Sequence, residues 1–190
     1  MNKKLFALLS VLTICFSSFS LSKNYRPIRL ELGTIIPMEF GEFSQGGFGF
    51  IVEPKLNITD QLSAGLRAHW GIMLGDGATV MGSYMLKADY FLNTKPVRPY
   101  ITFGLGINPV ASVSADLSEG ESVAAAAGNF FSLFPGIGIN LGGFRLGAGV
   151  NLIFAKQVRI NSEFIEVEES QLRPQLVVDL TGSILSRKKR

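Results

Sequence analysis

The sequence predicts an all-β chain folded as an eight-stranded antiparallel up-and-down transmembrane β-barrel. Three observations predict it. Apolar and polar residues alternate with period two over eight segments, as in strands whose two faces meet different surroundings. The connections between those segments alternate between short and long, as they do when a barrel enters a membrane from one side. Finally, 47% hydrophobic residues and 21 glycines among 190 positions come without collagen's three-residue period. Nor, after the amino-terminal stretch, is any apolar run long enough for a membrane helix. This composition excludes a disordered polyampholyte and suits one domain.

The first element is a signal peptide, residues 1–22. Lys3 and Lys4 precede an apolar stretch, and serines follow at signal-peptidase spacing, so cleavage is expected after Ser20 or Ser22. Cys15 raises the alternative of lipoprotein cleavage, but Ile14 is large where such sites want a small residue. With cleavage at either serine the mature chain has no cysteine, and so neither disulfide nor thiol chemistry. The barrel domain is assigned to residues 23–186 and a basic carboxy-terminal tail to 187–190. Loss of Lys3 and Lys4 takes the net charge from +3 to +1. Setting aside Arg187, Lys188, Lys189 and Arg190 leaves the body at −3, so the basic balance is partly a tail effect. No basic patch interleaved with aromatics appears in that body, and no nucleic-acid partner is expected.

The eight strands follow in order. Residues 28–37 set Leu30 and Leu32 against Arg29, Glu31 and Gly33. Residues 47–58 set Phe48, Phe50, Val52, Leu56 and Ile58 against Gly49, Glu53, Lys55 and Asn57, with Ile51 the exception. In 62–71, Leu62, Ala64, Leu66, Ala68 and Trp70 oppose Ser63, Gly65, Arg67, His69 and Gly71. In 79–92, Val80, Gly82, Tyr84, Leu86, Ala88, Tyr90 and Leu92 oppose Thr79, Ser83, Lys87 and Asp89, with Met81 and Met85 between. Residues 100–108 place Ile101, Phe103, Leu105 and Ile107 on one face, and 131–141 resolve into Phe131, Leu133, Ile137, Ile139 and Leu141 against Gly136, Gly138 and Asn140. Residues 144–154 oppose Leu146, Ala148, Val150, Leu152 and Phe154 to Arg145, Gly147, Gly149 and Asn151, and 172–185 oppose Leu176, Val178 and Leu180 to Gln175, Asp179 and Thr181.

Short turns are expected at 57–61, 93–99 and 140–143, and loops at 38–46, 72–78, 109–129 and 155–171. The segment 109–129 carries an acidic tip before a small apolar stretch and reads either as a surface loop or as an extension of two strands. With a periplasmic amino terminus the long loops lie outside. Tyr25, Tyr90, Phe91, Tyr100, Phe131 and Phe154 at strand ends suit interfacial girdles or ordinary surface packing.

The polar face carries the stronger argument. It is expected to place Arg29, Glu31, Glu53, Lys55, Arg67, His69, Lys87, Asp89, Arg145, Arg173 and Asp179 in the lumen, a mixed-sign set that pairs internally because an unpaired buried charge is costly. Glycines on that face leave room for long side chains, or mark bulges in a bent sheet.

With the signal peptide and the eight glycine-rich strands, PYITFGLGIN at 99–108 and FRLGAGVNLIF at 144–154 resemble the outer-membrane-protein β-barrel family of small bacterial barrels. The resemblance covers essentially the whole mature chain. It implies a location in the outer membrane of a Gram-negative bacterium and no catalytic residues. It also implies outer-membrane lipid, lipopolysaccharide and the barrel-insertion machinery as partners, with a surface ligand conceivable through the long loops. Barrels of this family commonly end on an aromatic residue, whereas this sequence ends Ser186, Arg187, Lys188, Lys189, Arg190. Either the membrane placement fails or the machinery reads an internal part of the last strand.

Searches for chemistry return no cofactor site and no metal site. His69 with Ser83 and an acid forms a formal lipid-hydrolase arrangement, set against a structural histidine among lumen polar groups. Glu163, Glu166, Glu168 and Glu169 cluster in the last loop, and read as a solvated run rather than a cation site. GLGIN and GINLGG lack the helix and lysine of a phosphate loop. Three readings follow: a nonenzymatic outer-membrane barrel with a structural or surface-interaction role, a soluble barrel that holds an apolar ligand, and a lipid-modifying membrane enzyme. In the first, inward arginines and lysines leave a small barrel little room for solute.

Overall fold

The computed structural model describes residues 27–40, 44–75, 77–116, 122–160 and 166–184. The segment expected to be a signal peptide, Cys15 within it, Tyr25 and the basic tail lie outside them. Eight strands, β1 (Ile28–Glu39), β2 (Gln45–Asn57), β3 (Leu62–Gly75), β4 (Gly77–Phe91), β5 (Val97–Asp116), β6 (Ser122–Leu141), β7 (Phe144–Ile160) and β8 (Glu166–Ser183), pair in chain order. Every pair is antiparallel, and β1 closes on β8 from Glu31 opposite Ser183 to Glu39 opposite Gln175. Closure leaves no free edge around this girth, and eight strands enclose a space just wide enough for side chains.

Alternation dictates which residues face which way. Outward lie Leu66, Ile72, Leu86, Ile101, Phe103 and Ile137, each at least half exposed. Inward lie the charged and amide side chains. A water-soluble barrel is built the other way round, so this one is inverted, and among the described residues its interior is taken up by buried polar and packed apolar side chains.

Local chemistry sets the short turns. Thr59 Oγ1 accepts the N–H groups of Gln61 (3.2 Å) and Leu62 (2.9 Å), and Asn93 Oδ1 accepts that of Lys95 (2.9 Å). Between β6 and β7 the Gly142 N–H donates to Asn140 Oδ1 (3.0 Å). Gly142 itself has φ +85°, which only glycine adopts at no cost.

Four strand prolines interrupt the ladder on one side each, because proline has no N–H to donate. Pairing of β1 with β2 skips Pro37, β2 with β3 skips Pro54, β4 with β5 skips Pro109, and β6 with β7 skips Pro135. In each case the pairing resumes in the same register directly beyond the lapse; β6 and β7 shift register only farther along, between Ala125 and Ser132.

The expected loops are largely strand. The β5–β6 ladder continues to Asp116 opposite Ser122, so 109–129 is an extension of two strands. The β7–β8 ladder likewise continues to Ile160 opposite Glu166, which puts Glu166, Glu168 and Glu169 in β8, while Glu163 lies outside the described residues. β3 runs on to Gly75 and β4 begins at Gly77, where a seven-residue connection was expected. Alternation marks only the stretch where one face is apolar; a hairpin that rises past it keeps its backbone bonds without that pattern, as in Val123 to Ala127. β1 and β2, by contrast, end at Glu39 and Gln45, so the wall is taller on the β5–β8 side.

Candidate functional site in the barrel lumen

The lumen begins, at the short-turn end, with a closed ionic cluster. Alternation on β1 and β2 aligns Arg29 with Lys55 and Glu31 with Glu53, two pairs of like charges directly opposite one another. Alone these would repel. The barrel's curvature resolves them by bringing opposite charge across the lumen. Glu31 receives Arg29 Nε (3.0 Å), Lys55 Nζ (2.9 Å) and Arg145 Nη1 (3.0 Å). Asp89 receives Lys55 Nζ (2.6 Å) and a two-pronged contact from Arg145 Nη1 and Nη2 (2.8 and 2.9 Å). Glu53 lies 3.0 Å from Lys55 and 2.9 Å from Lys87. Arg67 Nη1 donates to Asp179 Oδ2 (3.0 Å).

Glycine makes this density feasible. Gly65 sits in register between Lys55 and Lys87, and a Cβ there would approach Lys55 Cγ to 2.8 Å. A Cβ at Gly147 would lie 2.6 Å from Tyr100 Oη and 2.8 Å from Asp179 Oδ1. One inward side chain is removed so that its longer neighbours fit.

Three aromatic rings cover the guanidinium groups. Arg145 Cζ stands 3.8 Å from the Tyr100 ring centre, Arg67 4.5 Å from Phe134, and Arg98 4.1 Å from Phe91. Phe91 and Tyr100 are thus lumen residues, buried against each other edge to face (5.7 Å), and not members of an outer girdle. Both fall on inward positions of the alternation, because Phe91 follows Asp89 and Tyr100 precedes Thr102 by two. Tyr90, Phe131 and Phe154 do face outward.

Toward the loop end the lumen changes character. Ile35, Ile51, Met85, Phe134 and Val177 form a buried apolar cluster; Ile51, Met85 and Val177 each sit one inward position beyond a charged residue of their own strand, and Ile35 two. Ile51, Met81 and Met85, the apparent breaks in pattern, therefore point inward as the alternation requires. Beyond them come uncharged groups. Asn108 donates to Ser132 Oγ and accepts from Asn151 Nδ2 (3.1 Å), Thr79 donates to Gln45 Oε1 (2.8 Å), and Gln175 lies against Met73 Sδ (3.3 Å). Here Arg173 meets Glu39 in a two-pronged pair (2.6 and 2.8 Å) that is partly open to solvent. A recess lined by Glu39, Met73, Arg173 and Gln175 measures about 10 Å³, room for about one water molecule.

Of the eleven residues expected in the lumen, ten are almost wholly buried there and Arg173 stands partly exposed near its loop-side mouth. Asn108 and Asn140, which alternation sets on the polar face, are buried in the lumen as well; pattern reading missed Arg98, Ser132 and Phe134, though period two, carried through β5 and β6, would have found them. His69 is fully buried and paired in register with Ser83, yet neither ring nitrogen nor Ser83 Oγ has a hydrogen-bond partner. The structure therefore does not assemble a serine, histidine and acid relay. Among the described residues no cluster of potential metal ligands occurs.

No family model and no curated protein matches the chain. Among solved structures it is similar to Neisserial surface protein A (NspA), at 13% identity and a TM-score of 0.51, over 86% of this chain and 99% of that one. The fold is the small outer-membrane type of β-barrel. It is similar also to the amino-terminal β-barrel domain of Pseudomonas aeruginosa OprF (15% identity, TM-score 0.42, 83% of this chain and 98% of that one). A third likeness is to the outer membrane protein OprG from Pseudomonas aeruginosa (11% identity, TM-score 0.45, 88% and 96%). In this barrel, the combination of ionic cluster, aromatic covers and apolar plug fills the lumen rather than lining a channel.

Proposed function

We propose that the protein is a nonenzymatic barrel of the outer membrane of a Gram-negative bacterium, with a structural and surface-interaction role. The observation that carries this reading is the inversion of polarity: charged side chains such as Glu53 and Arg67 are fully buried in the lumen while Leu66, Leu86 and Ile101 stand exposed around the wall. Only a lipid solvent makes that outer surface favourable, and a bilayer also demands the closed ladder, since backbone groups find no water there. The filled lumen argues for an anchor rather than a conduit. The taller β5–β8 wall is the part that projects beyond the lipid, and it is the part of the barrel that a surface ligand meets first. Outer-membrane lipid, lipopolysaccharide and the barrel-insertion machinery are the partners this placement entails.

The test is heat-modifiability of the mature protein on a detergent gel, with circular dichroism on the same detergent-folded sample. A band that shifts on boiling together with a strand spectrum is expected. Protein that stays soluble and compact in buffer but does not fold in detergent would overturn the reading.

A further inference from the structure

The outer wall is not uniform. At Pro109 the β4–β5 pairing lapses, and continuing the register across the gap sets Pro109 opposite Gly82. At the other outward lapses the same continuation sets Pro54 opposite Leu66 and Pro135 opposite Val150, whose side chains occupy the space. Gly82 has none. A Cβ built there would meet Pro109 Cγ at 3.0 Å and Trp70 Cδ1 at 3.4 Å. Pro109 and Trp70 lean over the buried glycine, and beside them opens a groove of about 430 Å³ lined also by Val80, Ala111 and Asn129.

Its walls are fixed. Trp70 Nε1 donates to Tyr84 Oη (2.9 Å), and the two rings stand edge to face at 5.8 Å. The indole is thereby held upright beside the gap instead of folding into it. The groove is mostly apolar, and it is continuous with the exposed belt formed by Ile72, Val80 and Ile107. It lies toward the loop end of β3 and β4, away from the turn at 58–61.

From this geometry we infer that the groove between β4 and β5 retains one acyl chain of a bilayer lipid in the loop-side leaflet. The inference rests on the membrane-barrel reading above. An acyl chain matches the groove because it is slender, flexible and without polar groups, whereas a side chain of a second barrel would have to pass the fixed indole. The chain lies against Trp70, Val80, Pro109 and Ala111, and the lipid's polar part is left toward Asn129. Elsewhere on the belt, lipid meets a wall of protruding side chains and exchanges freely.

Trp70 is the sole tryptophan and reports on the site directly. The protein is folded into vesicles of phosphatidylcholine with dibrominated acyl chains, then transferred by gel filtration into unbrominated detergent micelles. Indole emission is read before and after, and native mass spectrometry reads bound lipid. Quenching in vesicles that persists after transfer, with one lipid adduct, is expected for the wild type. Ala111→Leu and Gly82→Leu fill the groove and lose both the persistent quenching and the adduct. Ala111 is exposed on the outer face, so its variant folds whether or not Gly82→Leu does. Quenching that vanishes on transfer overturns the retained chain while leaving the membrane barrel intact. Absence of quenching in the vesicles from protein of monomeric mass overturns both, whereas a doubled mass with an unquenched indole overturns the retained chain alone, since it would place a second copy over the groove.

Discussion

The two halves of the lumen solve the same filling problem in different ways. Near the short turns, Glu31, Glu53 and Asp89 share Arg29, Lys55, Lys87 and Arg145, so that every one of these charges but Arg29, which pairs with Glu31, has more than one partner. Toward the loops the charges give way to Ile35, Ile51, Met85 and Phe134, then to amides and hydroxyls joined in pairs. The first half ties six of the eight strands, β1 to β4, β7 and β8, by attraction between charges; the second is held by apolar packing and neutral hydrogen bonds. The contrast teaches that a narrow barrel can seal itself either by charge compensation or by volume, and that the two carry opposite sensitivities to substitution. Removing one member of a buried ionic cluster strands its partners, whereas removing a packed or neutral group leaves only a cavity or one open hydrogen bond.

Asp89→Ala separates the halves most sharply. Lys55 and Arg145 would lose a carboxylate at 2.6 to 2.9 Å. Breaking a buried pair from one side costs about 3–5 kcal/mol, read as a lower midpoint in urea titrations of the vesicle-folded barrel. Adding Lys55→Met to that variant is expected to restore part of the loss, because it withdraws one of the stranded cations. A double variant no better than the single would show that the carboxylate acts through shape instead of charge.

On the loop side, Asn108→Ala removes the link between Ser132 and Asn151. Leaving such neutral partners open costs about 1–3 kcal/mol, a smaller fall in the same titration and one insensitive to salt. A loss equal to that of Asp89→Ala would erase the distinction between the halves.

How much of this could be read beforehand differs between the two halves. The charged half was legible because period two combined with mixed-sign charge is rarely ambiguous: Arg29, Glu31, Arg67 and Asp89 could face only inward if Leu30, Leu66 and Ala88 faced lipid. The apolar half was not. Ile51, Met85 and Phe134 look like surface residues in a sequence whose outer face is also apolar, so hydrophobicity ceases to report direction and only position does. The same ambiguity placed Phe91 and Tyr100 in a girdle when they cover Arg98 and Arg145. Strand ends beyond the lipid belt carried no signal, since neither face is there forced to be apolar. The Gly82–Pro109 groove was out of reach for another reason: it depends on register, which sets a glycine of one strand against a proline of the next.

The Arg173–Glu39 pair sits at the boundary, where solvent reaches the loop-side mouth. Glu39→Gln is expected to cost about 1 kcal/mol or less, and that difference should shrink further at high salt. A salt-independent loss as large as that of Asp89→Ala would extend the closed ionic regime through the whole lumen.

The smallest effect is expected at His69. It is as deeply buried as Arg67, on the same strand and the same face, yet its two nitrogens and the facing Ser83 Oγ make no protein hydrogen bond. Replacing an unpartnered polar group by an apolar one of similar size is nearly neutral or slightly stabilising. His69→Leu should therefore leave the urea midpoint within about 1 kcal/mol of the wild type, and should change no lipid-hydrolytic activity of the folded barrel. A large loss of stability would mean that the imidazole is tied through buried water to Arg67 or Ser83. Loss of a measurable hydrolysis would instead return His69 to catalysis, through a relay formed in a state other than this one.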